Sequence, residues 1–194
     1  MKTLSAYIIG LSSLLLLSQC SPSDKDSVKQ AHNQNLNSAI DEDISNYMTQ
    51  AADSRMTNIE EGKLAKTKGS SQAVRSYGED LLTVNTKMLH DIRVLAASKN
   101  IALPNFLSNK NAKALEDLRE KDGEQFDQAF LKLMRKSHKR DIAAFDDATD
   151  YKDQDIQKFA ANRIGVLRTQ LESVENLEAN REHVSSRSTK DDDN

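Results

Sequence analysis

The stretch from Phe126 to Tyr151, FDQAFLKLMRKSHKRDIAAFDDATDY, holds the pattern on which the fold turns. It contains no Gly and no Pro, and Phe126, Phe130, Leu133, Met134, Ile142, Phe145 and Ala148 recur at helical spacing. Residues three and four apart share one side of a helix, so this spacing predicts one long amphipathic helix. His138 falls on the same stripe as Leu131, Met134, Ile142 and Phe145. It is expected to point into a core, where a titratable group needs a partner. The run 135–140, RKSHKR, looks basic, but a helix spreads it over several faces. Solvated side chains are its default reading, ahead of binding to an anionic lipid or polymer.

Three more long segments share this periodicity. From Ile40 to Lys68 an apolar face is formed by Ile40, Ile44, Tyr47, Met48, Ala51, Ala52, Met56 and Ile59. Asp41, Glu42 and Asp43 crowd its start, as the positive end of a helix dipole favours. Gly62 costs about 1 kcal/mol against Ala in a helix, and its purpose is read as close helix approach. From Ser71 to Asn100, Val74, Tyr77, Leu81, Val84, Met88, Ile92 and Leu95 make the cleanest repeat, and Asn85 lies within it as a core polar residue. The short connection at Gly69 to Ser71 predicts an antiparallel hairpin. From Gln154 to Glu182 the stripe is Ile156, Phe159, Ala160, Ile164, Leu167, Leu171, Val174 and Leu177, with Glu172, Glu175 and Glu178 facing outward. Ile101-Ala102-Leu103-Pro104 ends the second helix. The link 105–122 carries a short extra helix at Ala112 to Arg119. The expected fold is all-α: an antiparallel up-down four-helix bundle with that short helix between helices two and three.

The ends of the chain read differently. Met1 to Gln19 has Lys2, then an apolar run from Leu4 to Leu17, too short to span a bilayer and suited to an export signal. Leu17-Ser18-Gln19-Cys20 resembles a bacterial lipoprotein cleavage box, with Gln19 departing from the small residue usual there. Cys20, the single cysteine, would then carry acyl chains, palmitate among them, and anchor the protein to a membrane. The expected domains are a signal peptide at 1–19, a lipidated flexible tether at 20–38, a helical domain at 39–182 and a disordered tail at 183–194. His32 is read as a solvated linker residue.

Charged residues are 29% of the 194 and the formal net charge is -3, so neither sign dominates and nothing points to nucleic acid. Six Gly, two Pro and no Trp favour helices over sheet. No phosphate-binding Gly loop and no Gly-x-Ser-x-Gly elbow is present.

Several strings resemble the domain of unknown function 4142 family, exported bacterial proteins similar in fold to ferritin-like four-helix bundles. They are Glu61-Gly62-Lys63-Leu64-Ala65 with Lys68, Lys99 to Pro104, Phe126-Asp127 with Met134 and His138, and Ala144-Phe145-Asp146. The resemblance implies a bacterial envelope location, on the periplasmic side of a membrane or at the surface, with the outer membrane favoured. It also implies where a metal would sit. Members often carry Asp-His pairs in helices two and three; here Val84-Asn85 and Ser137-His138 stand at those positions, and Thr169-Gln170 replaces a helix-four His. Glu61 matches a helix-one carboxylate and Asp146 stands where many members have Glu.

A di-iron site would need Glu-x-x-His motifs, and no helix here has one. His90 does not complete such a motif. A weak mononuclear set of Glu61, His138, Asp141 and Asp146 is the remaining metal candidate, for Fe, Mn or Zn. The competing expectation is a core histidine bonded to Asn85 or Glu61, with no cofactor and no catalytic residue. The favoured reading is a lipid-anchored, non-catalytic interaction or structural protein with an envelope protein partner. The alternative is a metal-binding or redox bundle.

Overall fold

The structure, a computed structural model, describes residues 26–191, and side chains for 26–181. It is all-helical, with no strand among the described residues. The elements are α1 (Ser27–Asn35), α2 (Glu42–Lys68), α3 (Gln72–Ser98), α4 (Asn109–Arg119), α5 (Gly123–Asp147), a 3-10 turn (Ala148–Asp150) and α6 (Gln154–Asp191). The starts are capped by the residues that helix physics favours: the Asp41 carboxylate accepts from Asp43 and Ile44, and Ser71 and Ser108 cap α3 and α4. Asp153 accepts from the Asp155 and Ile156 amides at the start of α6. Asn100 takes a left-handed φ of 54° just past α3, and the Ile101 amide reaches back to Ala96 at 2.9 Å. That geometry closes the end of α3.

Residue pairs give the helix directions. Lys66 meets Glu79 while Arg55 meets Met88, so α2 and α3 are antiparallel. Arg135 meets Glu178 and Lys139 meets Glu175, so α5 and α6 are antiparallel too. The beginnings of α3 and α5 lie together: the buried Asp127 accepts from the Ser70 amide at 2.8 Å, the Ser70 hydroxyl at 2.7 Å and the Ser71 amide at 3.1 Å. Helices α3 and α5 therefore run the same way. The strict up-and-down order expected along the chain is corrected here. The link 99–122 is the cause. Ser108, before α4, donates its amide to Asp53 in the first half of α2, and Arg119, at the end of α4, accepts from Lys68 at the far end of α2. Helix α4 thus carries the chain back along the length of α2.

Two apolar clusters fill the interior. One gathers Met48, Ala52, Met88, Ile92, Phe145, Ile156 and Leu167. The other gathers Ala65, Val74, Leu81, Phe126, Phe130, Met134 and Val174. Near the second cluster α2 and α3 touch backbone to backbone. A Cβ on Gly62 would lie 2.8 Å from the Gly78 carbonyl oxygen, and one on Gly78 would lie 2.8 Å from the Lys66 nitrogen. Gly62 thus does permit close approach, with Gly78 as its unforeseen partner.

Helix α2 departs from the single-stripe expectation. Ser45, Thr49, Asp53, Ser54, Arg55, Thr57, Asn58 and Glu61 are buried along with its apolar residues. It touches α1, α3, α4 and α5, so little of its circumference meets solvent. Helix is present inside the stretches read from the sequence as tether and tail. Residues 27–35 form α1, capped by Asp26, and α6 continues to Asp191. Asn35 brackets Ala102 like a backbone strand, donating to its carbonyl at 3.0 Å and accepting from its amide at 2.8 Å. Ser27 Oγ accepts from the amides of Asn105 and Phe106, and His32 Nδ1 lies 2.7 Å from Asn46 Oδ1 instead of standing in solvent. The leader and Cys20 lie outside the described residues.

Candidate functional site

Between the two apolar clusters every long helix contributes polar side chains at the same level. They are Arg55, Asn58 and Glu61 on α2, Asn85 on α3, Ser137, His138 and Asp141 on α5, and Gln170 on α6, all buried. This layer is the candidate site. Its register follows from the helix directions: each chain segment leaves one apolar cluster, crosses the layer within about two turns, and enters the other.

Arg55 is fully buried and forms an ion pair with Asp141. Ser54 Oγ donates to the Asp141 carboxylate, with both oxygens at 2.9 Å, and accepts from Arg55 at 3.1 Å. A further guanidinium nitrogen of Arg55 lies 3.4 Å from Met88 Sδ, while Nε has no partner. Burial pushes Arg55 down to about 10, so it remains a cation at neutral pH.

His138 pairs with Tyr77, not with Asn85 or Glu61 as expected. The Tyr77 hydroxyl and His138 Nε2 are 2.6 Å apart, and His138 Nδ1 has no partner. Burial, with Arg55 nearby, pushes His138 down to about 3, which keeps it neutral. Burial also raises the Tyr77 phenol. Glu61 is 2% exposed, and burial pushes it up to about 8 against the opposing pull of Arg140 and Arg55. It is mostly protonated at pH 7, and its Oε2 has no partner. Asn85 is a core residue bonded across helices: it donates to the Leu81 carbonyl at 2.7 Å and accepts from Asn58 at 3.5 Å. Asn58 in turn accepts from Ser137 at 3.3 Å.

The metal candidates are not gathered into one set. Asp141 is held by Arg55 and Ser54, His138 Nε2 by Tyr77, and Asp146 is exposed beyond the layer. Among the described residues no group of three or more His, Cys, Asp or Glu is placed to hold a metal ion. A fixed guanidinium charge in the layer opposes a dication, and a protonated Glu61 is a poor ligand. These donors do not fit a metal. Nor do they form a nucleophile–base pair, because Ser54 faces Asp141 and Arg55 while the imidazole faces a phenol.

A cleft of about 460 Å³ opens over Asp141, lined among others by Tyr47, Asp53, Ser54, Asn111, Arg140 and Tyr151. Asp53 closes one wall by accepting from the Ser108 amide and from Asn111 Nδ2, each at 2.8 Å. Arg140 reaches Ser137 at 3.2 Å and approaches Asp141 at 3.7 Å.

Arg55 and Tyr77 were invisible as site residues in the sequence. An arginine within a polar run of α2 reads as solvated, and Tyr77 reads as one more apolar step of α3. The spacing of Arg55, Asn58 and Glu61, three apart, is the signal that would have revealed a polar interior face.

A search of curated proteins gives no match. A crystal structure of a DUF305 fragment from Deinococcus radiodurans is similar in fold, with a TM-score of 0.52 and 15% identity, covering 78% of this chain and 93% of that one. Residues 27–177 match the family model of the domain of unknown function DUF4142, from the first residue of α1 into α6. The chain therefore belongs to the DUF4142 family.

Proposed function

We propose that this protein is a lipid-anchored module of the bacterial envelope that works by binding, without catalysis. Its long helices make an antiparallel four-helix bundle of ferritin-like layout, with one crossover connection in place of strict alternation. The observation that carries the non-catalytic reading is the Arg55–Asp141 pair. It supplies, from the chain itself, the positive charge that ferritin-like bundles take from metal at this level. Support for the anchor comes from the leader and Cys20 in the sequence. Among the described residues no helix is long and apolar enough to cross a membrane.

The metal-binding alternative is favoured by one observation: Glu61 Oε2 and His138 Nδ1 are buried donor atoms without partners. Loading the chain lacking residues 1–20 with Fe(II), Mn(II) or Zn(II), followed by dialysis and metal analysis, separates the two. Our reading expects no stoichiometric retention. Retention that is lost in His138→Ala overturns it. For the anchor, Cys20→Ala is expected to move the protein from the membrane to the soluble fraction; a variant that still resists salt washing refutes that part.

A further inference from the structure

We infer that the flank formed by α4 and α5 is a docking face for an anionic lipid surface. The inference takes its orientation from the anchor proposed above and its chemistry from the flank itself. The chain enters the described domain at Asp26, whose carboxylate accepts from the Asn109 amide at the start of α4 at 2.9 Å. Five residues, 21–25, lie between Cys20 and that point, and the six steps from Cys20 to Asp26 reach at most about 22 Å. An acyl chain on Cys20 would therefore hold the start of α4 near the bilayer.

Two features of the flank suit that position. Phe106 is 76% exposed, and its amide is bonded to Ser27 Oγ, so an exposed aromatic ring stands beside the chain entry. Aromatic side chains in such positions settle into the interface between headgroups and acyl chains. Farther along, a shallow groove of about 310 Å³ separates α4 from α5, with Leu118 and Leu133 among its apolar lining and Lys121, Lys132 and Lys136 around them. These three lysines are exposed and make no ion pair with another described residue. The acid on the groove, Asp117, is engaged by Lys113. Apolar lining with unpaired cations beside it matches lipid phosphate above glycerol and acyl carbons. The remaining lysine of α5, Lys139, is not free in this way, being paired with Glu175 on α6.

The chain has no Trp, so Phe106→Trp introduces a single emitter. The full lipidated chain carrying it is reconstituted in phosphatidylcholine vesicles with and without phosphatidylglycerol, with brominated lipids as quenchers. Val94→Trp, on the exposed side of α3, is the reference. The expected result is a blue-shifted, quenched emission at position 106, deeper with phosphatidylglycerol, and little quenching at 94. Changing Lys121, Lys132 and Lys136 to Gln together should lower the docked population by about fivefold per lysine. All three are surface positions, and an unchanged melting temperature verifies the fold. Equal quenching at 94 and 106, no dependence on phosphatidylglycerol, or self-association through the flank in sedimentation each overturns the inference. Failure of the anchor is distinguishable, because Cys20→Ala would then stay with membranes whatever the emission at 106.

Discussion

Removing the Arg55 guanidinium while leaving Asp141 in place is the sharpest perturbation of the interior. In Arg55→Met a carboxylate with 6% side-chain exposure loses its ion-pair partner. Stripping one member from a buried pair costs about 3–5 kcal/mol, because the remaining charge cannot be hydrated. Asp141 retains the Ser54 hydroxyl at 2.9 Å and has Arg140 at 3.7 Å, which places the expected loss near the lower bound, about 3 kcal/mol. At 2–4 °C per kcal/mol for a chain of this size, the melting temperature should fall by about 6–12 °C. The companion Arg55→Met/Asp141→Leu removes both charges and fills the space with apolar atoms. It should return to within about 1 kcal/mol of the parent or exceed it. Urea unfolding followed by circular dichroism, on the chain from residue 21, measures all four corners of the cycle. If Arg55→Met alone costs less than about 1 kcal/mol, or if the two substitutions simply add, the pair is not the buried charge system described here.

Other expectations follow from the same interior. His138 is held at about 3, below its ordinary value, so its contribution is present above pH 6.5 and is lost as pH falls toward 3. His138→Gln should flatten the fall in urea midpoint across that window; an unchanged slope refutes the assignment. Glu61 has the opposite sign: raised to about 8 by burial, it contributes fully below pH 4.5 and its contribution is lost as pH rises through 8. Glu61→Gln should be the more stable form at pH 9, and a variant that is less stable there would show that Glu61 is charged when folded. Gly62→Ala gains about 1 kcal/mol of helix propensity but drives a Cβ to 2.8 Å from the Gly78 carbonyl. A net loss of about 1–3 kcal/mol is expected in thermal melts, and a stabilised variant would deny the close crossing. Asn35→Ala removes both bonds to Ala102, so limited proteolysis should cut between α1 and α2 much faster; an unchanged rate would mean that α1 is held by other contacts.

Much of the architecture was legible along the chain. The steps of Val74, Leu81, Met88 and Ile92 on α3, and of Ile156, Leu167 and Val174 on α6, marked buried faces correctly. The acidic run Asp41, Glu42 and Asp43 marked the start of α2, since the charge preference of a helix dipole acts within its own first turn. Three matters were not legible. The direction of α5 relative to α3 depends on where α4 lies, and the composition of the link 105–122 is silent on that. The folding of 27–35 onto the domain rests on Ser27 and Asn35, two polar residues whose partners are about 70 positions away or more. The polar layer rests on Arg55, which is buried because α3 and α5 close over it, with Met88, Asp141 and Phe145 against its guanidinium.

Periodicity, capping and breakers act within a few residues, so the amino-acid sequence by itself determined that this is a chain of long helices with an apolar seam on each. It also marked the approach at Gly62 and the placement of His138 in the interior. Which polar groups meet in that interior was decided by tertiary structure alone. A hydrogen bond such as Tyr77 to His138, or an ion pair such as Arg55 to Asp141, forms between residues 61 and 86 positions apart. Its geometry is set by how whole helices are ordered and offset, and no local pattern encodes that offset.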